Sequence, residues 1–209
     1  MLEEKSNDFL EARPWLSGIC DTQSTEELKY KYNSWANTYD ADVGKDWSFM
    51  PINIAKTISK LVSDKNAAIL DAGAGTGLVG EALSEQGYTN LTAVDLSEKM
   101  LDIAKERHVY TSLHQCNLED ESIFSNSDHF DVIIAAGVFA YAHAGVKVLK
   151  NLFNLLKKDG IFVLTIRKDY RHEMKFALEK LSWALVSEED FLIYDDVKLM
   201  YLLAFKKMQ

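Results

Sequence analysis

The chain has 209 residues, 47% of them hydrophobic, which is enough to bury the core of one domain and few for two. Its 32 acidic and 23 basic residues give a formal net charge of −9, which repels a phosphate backbone and argues against nucleic acid as a partner. The two cysteines form no cluster with metal-ligand spacing, so we expect no metal site and no disulfide. The apolar runs are shorter than the roughly 20 residues that cross a bilayer, so we expect a soluble, cytoplasmic protein without a membrane segment.

The N-terminal segment predicts an arm followed by a helix. Residues 1–24 mix charges with scattered apolar side chains, and we expect a flexible arm there. Behind an N-cap at Ser24 or Thr25, apolar and aromatic residues recur at helical spacing as far as Tyr39. This pattern predicts an amphipathic helix.

A second helix is predicted after Pro51. It is preceded by a glycine-containing stretch, residues 42–45, which we interpret as a link between the two helices. Residues 25–62 are therefore expected to form a helical unit, or lid, ahead of the sheet.

From residue 67 onward, apolar runs typical of strands alternate with helical patterns. The predicted strands are residues 67–71, 90–95, 110–115, 130–135, 160–166, 190–195 and 198–206. The predicted helices are residues 77–86, 97–107, 145–157 and 171–186. The alternation predicts a doubly wound α/β fold with a mostly parallel, seven-stranded, Rossmann-like sheet over residues 67–209. The last two strands lie close enough to form an antiparallel hairpin, and residues 25–209 are expected to be one domain.

The most informative segment is the glycine-rich turn after the first strand, Asp71-Ala72-Gly73-Ala74-Gly75-Thr76-Gly77. Glycine permits positive φ and a closer ligand approach than any Cβ allows, and the following helix begins with unpaired N–H groups. Asp95 ends the next apolar run about 20 residues later, where a strand-end acid meets ribose hydroxyls in Rossmann-like sheets. Together they predict a nucleotide-like ligand.

The stretch from Gly75 to Gly80 also fits the G-x-G-x-x-G pattern of dinucleotide enzymes. Three features favour S-adenosylmethionine: the Asp71 carboxylate suits a cationic ligand and repels a pyrophosphate, the turn follows a long helical segment, and only about 130 residues come after it. Two alternatives stay open, an NAD-dependent oxidoreductase and a non-catalytic S-adenosylmethionine-binding protein, because no catalytic residue is compelled by the sequence.

Over residues 25–209 the chain resembles the class I S-adenosylmethionine-dependent methyltransferases. The resemblance rests on the glycine-rich turn and on three further segments: Ala93-Val94-Asp95-Leu96-Ser97, Cys116-Asn117-Leu118 and Asp131-Val132-Ile133-Ile134-Ala135-Ala136. It implies that the turn cradles the methionine part and that Asp95 holds the ribose. It also implies an adenine site and a floor under the sulfonium, formed by Leu96, Met100, Asn117, Leu118 and Ala136. The family more often has Asp where this chain has Asn117.

Within that family, the stretch from Tyr32 to Val43, YNSWANTYDADV, resembles the N-terminal signature of the group related to the Williams-Beuren syndrome region methyltransferase. The resemblance implies that this helix is a lid and that Tyr39, Trp35 and Tyr32 contact the amino-acid end of the cofactor. Packing of the aromatic stripe on the sheet is the alternative. The residues expected to bind the cofactor are therefore Trp35, Tyr39, Asp71, Gly73, Ala74, Gly75, Gly77, Asp95, Leu96, Met100, Asn117, Leu118 and Ala136.

Methyl transfer to an acceptor depends mainly on alignment, and a general base is optional. His143 follows the fourth strand at the carboxyl edge of the sheet and is the candidate base, although orienting a loop is an alternative role. Tyr141, Arg167 and Tyr170 lie at the same predicted edge and are candidates for holding the acceptor. The sequence thus predicts a methyltransferase that acts on nitrogen or oxygen of a small molecule.

Overall fold

The computed structural model describes Ile19, Thr22 and residues 24–120, 129–139, 144–193 and 198–208. The described helices are α1 Thr25–Trp47, α2 Phe49–Leu61, α3 Leu78–Glu85, α4 Glu98–Glu106, α5 Val146–Leu155 and α6 Lys168–Lys180. The described strands are β1 Ile69–Ala72, β2 Leu91–Asp95, β3 Ser112–Gln115, β4 Phe130–Phe139, β5 Leu156–Arg167, β6 Trp183–Ile193 and β7 Lys198–Lys207.

These strands form one sheet in the order β3-β2-β1-β4-β5-β7-β6. Strands β1 to β5 pair in parallel, and β7 pairs antiparallel with both β5 and β6. The predicted Rossmann-like sheet with a C-terminal antiparallel pair is confirmed. The strand order reverses between β1 and β4, and the carboxyl ends of open parallel sheets bind ligands at such a switch point.

Alternate residues of the strands supply two cores, one on each face of the sheet. Ile69 packs with α2 and α3, whereas its neighbour Leu70 packs with α5 and α6. Ile134 and Ile133 of β4 divide in the same way. Burial on both faces explains why these strands read as continuous apolar runs in the sequence.

The predicted link at residues 42–45 is helical. Helix α1 continues through Gly44 to Trp47, and Ser48 alone separates it from α2. Val43 and Met50 are buried on either side of this junction, so their packing outweighs the cost of about 1 kcal/mol for a glycine inside a helix.

The predicted helix over residues 171–186 is also different, because α6 ends at Lys180 and β6 begins at Trp183. The Trp183 ring stacks on Phe205 with centroids 4.4 Å apart and lies 5.4 Å from the ring of Phe162. A strand places Trp183 against these rings of the neighbouring strands. Likewise, the predicted helix over residues 145–157 ends at Leu155, and β5 follows at once.

Most of the predicted arm, residues 1–24, lies outside the described residues. Ile19 is buried, and both the N–H and the hydroxyl of Thr22 donate to its carbonyl oxygen. The chain is therefore packed at Ile19. Within the described parts of the chain, every helix is too short or too polar to cross a membrane.

Candidate cofactor and active site

The glycine-rich turn after β1 is tied to β2 by its own backbone. The N–H groups of Gly73 and Ala74 donate to the carbonyl oxygen of Val94 at 2.8 and 3.0 Å, and that of Gly75 donates to Oδ2 of Asp95 at 2.8 Å. Gly73 and Gly75 both have positive φ. A Cβ at Gly75 would meet no atom within 4 Å, so the backbone there faces open space that a ligand can fill.

Asp95 lies at the end of β2 with each carboxylate oxygen already bonded to the backbone. Oδ2 accepts from Gly75, and Oδ1 accepts from the N–H of Ser97 at 2.8 Å. Burial raises the pKa of Asp95, while the N–H groups of Ser97, Gly75 and Leu96 act in the opposite direction. Each oxygen keeps a second lone pair, so the fixed carboxylate suits two hydroxyl donors.

A cavity opens over the carboxyl ends of β1, β2 and β4, the edge at which open parallel sheets bind ligands. Gly73, Gly75 and Asp95 form one part of its wall. The remaining wall from the sheet side comprises Leu96, Met100, Cys116, Asn117, Leu118, Glu119, Ala136, Gly137 and Val138. The structure thus brings most of the expected cofactor residues together.

The floor of the cavity is shaped by a bulge in β4. The register between β4 and β5 shifts between Ala135 and Phe139, and Gly137 has φ +73°. Its N–H donates to the hydroxyl of the buried Thr165 at 2.8 Å. The bulge puts Val138 against the glycine turn, where a Cβ on Gly73 would come within 2.6 Å of the Val138 Cγ2. Gly73 is therefore required by close packing.

Helix α1 covers the cavity, and its side chains Leu28, Tyr32 and Tyr39 line it. Two polar residues of α1 accept hydrogen bonds, one from the glycine-rich turn and one from the segment that follows Asp95. Asp40 Oδ1 accepts from the hydroxyl of Thr76, between Gly75 and Gly77, at 2.5 Å. Asn33 Oδ1 accepts from the hydroxyl of Ser97, two residues after Asp95, at 2.7 Å.

Arg107, just after α4, completes the anchoring of α1. Its Nη2 donates to Asp40 Oδ2 at 2.6 Å and its Nε to the carbonyl oxygen of Thr76 at 2.6 Å. Its Nη1 donates to Glu81 of α3. One guanidinium therefore joins the covering helix, the glycine turn and the helix behind that turn.

Asp71 and Gly77 were expected at the cofactor, but they lie behind the turn. Oδ2 of Asp71 accepts from the hydroxyl of Tyr110 at 2.6 Å, and Ala74 packs beside them against Ala93 and Leu101. Burial raises the pKa of Asp71 to about 7, the Tyr110 hydrogen bond lowers it, and the Asp95 charge raises it. The same desolvation, followed by the Asp71 charge, raises the pKa of Tyr110.

Two glycines of the G-x-G-x-x-G pattern make room for the Tyr110 ring. A Cβ on Gly80 would come within 2.3 Å of the ring, and one on Gly77 within 3.1 Å. In this chain these glycines serve packing behind the turn. The spacing of the glycines correctly predicted the position of the turn, but it did not predict that Tyr110 packs behind it.

Trp35, Arg167 and Tyr170 are described but do not line the cavity. The Trp35 indole donates to Asp42 at 2.7 Å, and its ring lies against those of Tyr32 and Tyr39. The Tyr170 hydroxyl donates at 2.7 Å to the carbonyl oxygen of Ala144, which itself lines the cavity. Tyr141 and His143 lie outside the described residues, so the roles predicted for them remain predictions.

The cavity also contains residues that the sequence analysis did not single out. Leu28, Glu119, Val138 and Val148 belong to it, and none of them lies in a recognisable short motif. Cys116, previously interpreted only as a reduced thiol, is part of the wall. Burial, followed by the charges of Asp95 and Asp120, raises its pKa to about 12, so the thiol is neutral and is no nucleophile at ordinary pH.

Comparison with known proteins shows where this architecture recurs. Residues 70–164 match the model of a family described as a methyltransferase domain. Methyltransferase-like protein 27 of Homo sapiens is 26% identical over 191 residues, which cover 88% of this chain and 78% of that protein. Ubiquinone biosynthesis O-methyltransferase of Coxiella burnetii is 28% identical over 145 residues, which cover 63% of this chain and 61% of that protein.

Among solved structures, 1,6-didemethyltoxoflavin-N1-methyltransferase of Burkholderia thailandensis, with bound 1,6-didemethyltoxoflavin and S-adenosylhomocysteine, aligns with a TM-score of 0.67. The identity is 16%, and the alignment covers 90% of this chain and 92% of that one, so this likeness shows the fold. The chain spans less than two thirds of the Coxiella relative. The matched domain, the curated relatives and the sheet order together support a methyltransferase of the class I fold that uses S-adenosylmethionine as its cofactor.

Proposed function

We propose that this enzyme transfers the methyl group to a nitrogen or an oxygen of a small-molecule acceptor. The observation that supports this most directly is the position of α1, whose side chains Leu28, Tyr32 and Tyr39 line the cavity from above. A covered cavity admits a compact acceptor more readily than a polymer, which needs an open groove. The net charge of −9 also opposes binding of a nucleic acid.

The names of the proteins that this chain resembles agree with a small acceptor. One relative is named for O-methylation in ubiquinone biosynthesis, and one structural neighbour is an N1-methyltransferase with bound 1,6-didemethyltoxoflavin. Both acceptor atoms therefore occur among proteins of this fold.

The residues of the cavity fit the cofactor in chemistry. The open space beside Gly75 and the two acceptor oxygens of Asp95 suit the amino-acid part and the ribose. The apolar side chains Leu96 and Met100 and the polar Asn117 suit a flat heterocycle with donor groups at its edge. We assign the adenine to this part of the wall, together with Leu118, and the sulfonium to the floor at Ala136.

The chemistry of the site then rests on alignment. S-adenosylmethionine supplies a methyl group that the sulfonium already activates, so the protein has mainly to hold the acceptor in line and to exclude water. Tyr39 of α1 and Val138 of the β4 bulge are placed to do this, because both line the cavity on different sides. His143 stays our candidate for a base where the acceptor must lose a proton.

The proposal is tested by following S-adenosylhomocysteine formation with a panel of acceptors. The panel contains phenols, catechols, carboxylic acids and heterocyclic amines, with transfer RNA and total cell protein as polymer acceptors. We expect saturable turnover with one small-molecule class and none with the polymers. Parallel reactions without enzyme measure the background. Turnover confined to a polymer acceptor would overturn the proposal.

A further inference from the structure

A single hydroxyl lies among apolar side chains near the carboxyl end of β5. It belongs to Thr165, which is fully buried between the equally buried Leu164 and Ile166. On β7, the residue paired with Thr165 is Leu202. Valine has nearly the same shape as threonine and would occupy this place without the cost of burying a polar group. The hydroxyl therefore points to a specific role.

The Thr165 hydroxyl accepts a hydrogen bond from the bulge of β4. The register of β4 on β5 shifts so that residues 136–138 of β4 face Thr165 alone. The extra residues of such a bulge lose their regular partners in the strand ladder. The N–H of Gly137 donates instead to Oγ1 of Thr165, at 2.8 Å. A side chain of β5 thus takes the place of a backbone carbonyl and fixes the path of β4.

The same bulge supplies Ala136, Gly137 and Val138 to the cofactor cavity. Gly137 is exposed, and a Cβ there would meet no atom within 4 Å, so its backbone borders open space. Val138 lies against Gly73 of the glycine-rich turn. The bulge is therefore held at two points, by Thr165 of β5 and by the turn. Bulges often lie next to active sites, where they redirect a side chain.

We propose that Thr165 is a positioning residue for the cofactor. Its hydroxyl keeps the bulge in the shape that places Gly137 and Val138 at the methyl-bearing end of S-adenosylmethionine. The inference rests on the proposed function, which assigns the sulfonium to the floor at Ala136. Thr165 lies outside the cavity wall and acts through the N–H of Gly137. Because methyl transfer depends on alignment, a displaced floor would move the methyl group relative to the acceptor.

Loss of the hydroxyl should affect one end of the cofactor only. The N–H of Gly137 then has no partner in β5, and the bulge is free to adopt other shapes. Only molecules that keep the competent shape bind with full affinity, so the apparent affinity falls by their fraction. The adenine and the ribose are assigned to Asp95 and to the wall from Leu96 to Asn117, which Thr165 does not hold. Their binding should persist.

The test is calorimetric titration of the full chain with S-adenosylhomocysteine and with adenosine, the latter followed through its displacement of S-adenosylhomocysteine. Adenosine has the adenine and the ribose but lacks the sulfur and the amino acid. Thr165→Val should weaken S-adenosylhomocysteine binding by roughly three- to tenfold and leave adenosine binding nearly unchanged. Thr165→Ala, a second variant without the hydroxyl, should show the same selective loss. Thr165→Ser keeps the hydroxyl and should bind both ligands as the parent chain does.

The matched control is Thr57→Val, which removes another buried hydroxyl, one that donates to Glu189 away from the cavity. It should leave both affinities unchanged. Urea denaturation of every variant separates lost stability from lost affinity. Affinity for S-adenosylhomocysteine equal to that of the parent chain in both Thr165→Val and Thr165→Ala, equal weakening of the two ligands, or weakened binding in Thr165→Ser would each overturn the proposal. These outcomes do not involve the acceptor, so they are distinguishable from failure of the acceptor panel.

Discussion

The two ends of the sheet are held together by different forces. Around β1, β2 and α1, elements are joined by side-chain hydrogen bonds: Asp40 to Thr76, Asn33 to Ser97, and Tyr110 to Asp71. We call this region the cofactor half. Around β5, β6 and β7, the contacts are between rings, with Trp183 packed against Phe153, Phe162 and Phe205. We call this the aromatic half.

The difference follows from what each half must do. Buried polar groups cost free energy unless they are paired, yet the cofactor half contains Asp71, whose Oδ1 is buried without a hydrogen-bond partner among the described residues. A ligand site needs such groups in place before the ligand arrives. In the aromatic half, the buried ammonium of Lys207 opposite Trp183 donates to the carbonyl oxygens of Phe153 and Leu156, so it is paired within the fold and the packing of the rings can supply stability. Mutations should therefore separate stability from cofactor affinity.

The largest effect on stability is expected in the aromatic half. Phe162 is fully buried, so Phe162→Ala should lower the free energy of unfolding by about 3 to 5 kcal/mol through lost burial and a cavity. Urea denaturation measures this. The affinity of the folded fraction for S-adenosylhomocysteine should stay close to that of the parent chain. Phe162→Leu, as the control, should cost much less. A parallel loss of affinity in Phe162→Ala would show that the halves are not separable.

The opposite pattern is expected for Asp95. Asp95→Ala should weaken S-adenosylhomocysteine binding by about 1.5 to 3 kcal/mol, the range for hydrogen bonds to a charged group, with a smaller change in stability. Asp95→Asn keeps an acceptor for Gly75 and should fall between the two. Calorimetric titration measures this affinity. An unchanged affinity for S-adenosylhomocysteine in a folded Asp95→Ala protein would contradict the assignment of the ribose to Asp95.

The same contrast explains which features of the fold and of the site could be predicted from the sequence. The sheet and Asp95 were predictable because their signals are local: apolar runs of strand length, glycines at a turn, and an acid at a strand end. The cavity wall from Leu96 and Met100 to Asn117 followed from resemblance and lies as expected.

The features that escaped prediction depend on contacts between distant segments. Helix α1 continues through Gly44 because Val43 and Met50 are buried on either side of it. Trp183 begins a strand because its ring packs against the rings of Phe162 and Phe205 on neighbouring strands. No local pattern marks Tyr110, which lies 39 residues from Asp71. Tertiary packing overrides local propensity at each of these places.

A third prediction concerns pH. Burial raises the pKa of Asp71 to about 7 from its ordinary value of 3.8. A carboxyl that holds its proton more tightly when folded stabilises the fold at low pH and loses this contribution as the pH rises from about 4 to about 7. Asp71→Asn abolishes the titration. Its stability relative to the parent chain should therefore rise by on the order of 2 kcal/mol between pH 5 and pH 8.

Urea denaturation of both proteins at matched pH values measures this difference, and other carboxyls cancel in the comparison. Tyr110→Phe is the companion variant. It removes the hydrogen bond that lowers the pKa of Asp71, so its own loss of stability should extend to higher pH. A difference between Asp71→Asn and the parent chain that stays flat across this window would contradict the protonation of Asp71 in the fold.

The smallest effect is expected where the cofactor half meets its covering helix. Asp40 holds α1 to Thr76 and to Arg107, and these contacts are partly exposed, so each contributes modestly. Asp40→Asn keeps an oxygen for the Thr76 hydroxyl but loses the charge opposite Arg107. We expect S-adenosylhomocysteine to bind about 0.5 to 1.5 kcal/mol more weakly, mainly through faster dissociation.

Hydrogen exchange shows whether this loss acts through the helix. In the parent chain, protection of residues 25–47 should rise when S-adenosylhomocysteine binds, because a covering element belongs to the less stable part of a structure. In Asp40→Asn that rise should be smaller. Glu81→Gln is the matched control, since it removes the charge of another partner of Arg107 without changing α1. If both variants change the exchange of α1 equally, the guanidinium and not the Asp40 contact holds the helix. If ligand leaves protection of α1 unchanged in the parent chain, α1 is a fixed wall of the cavity.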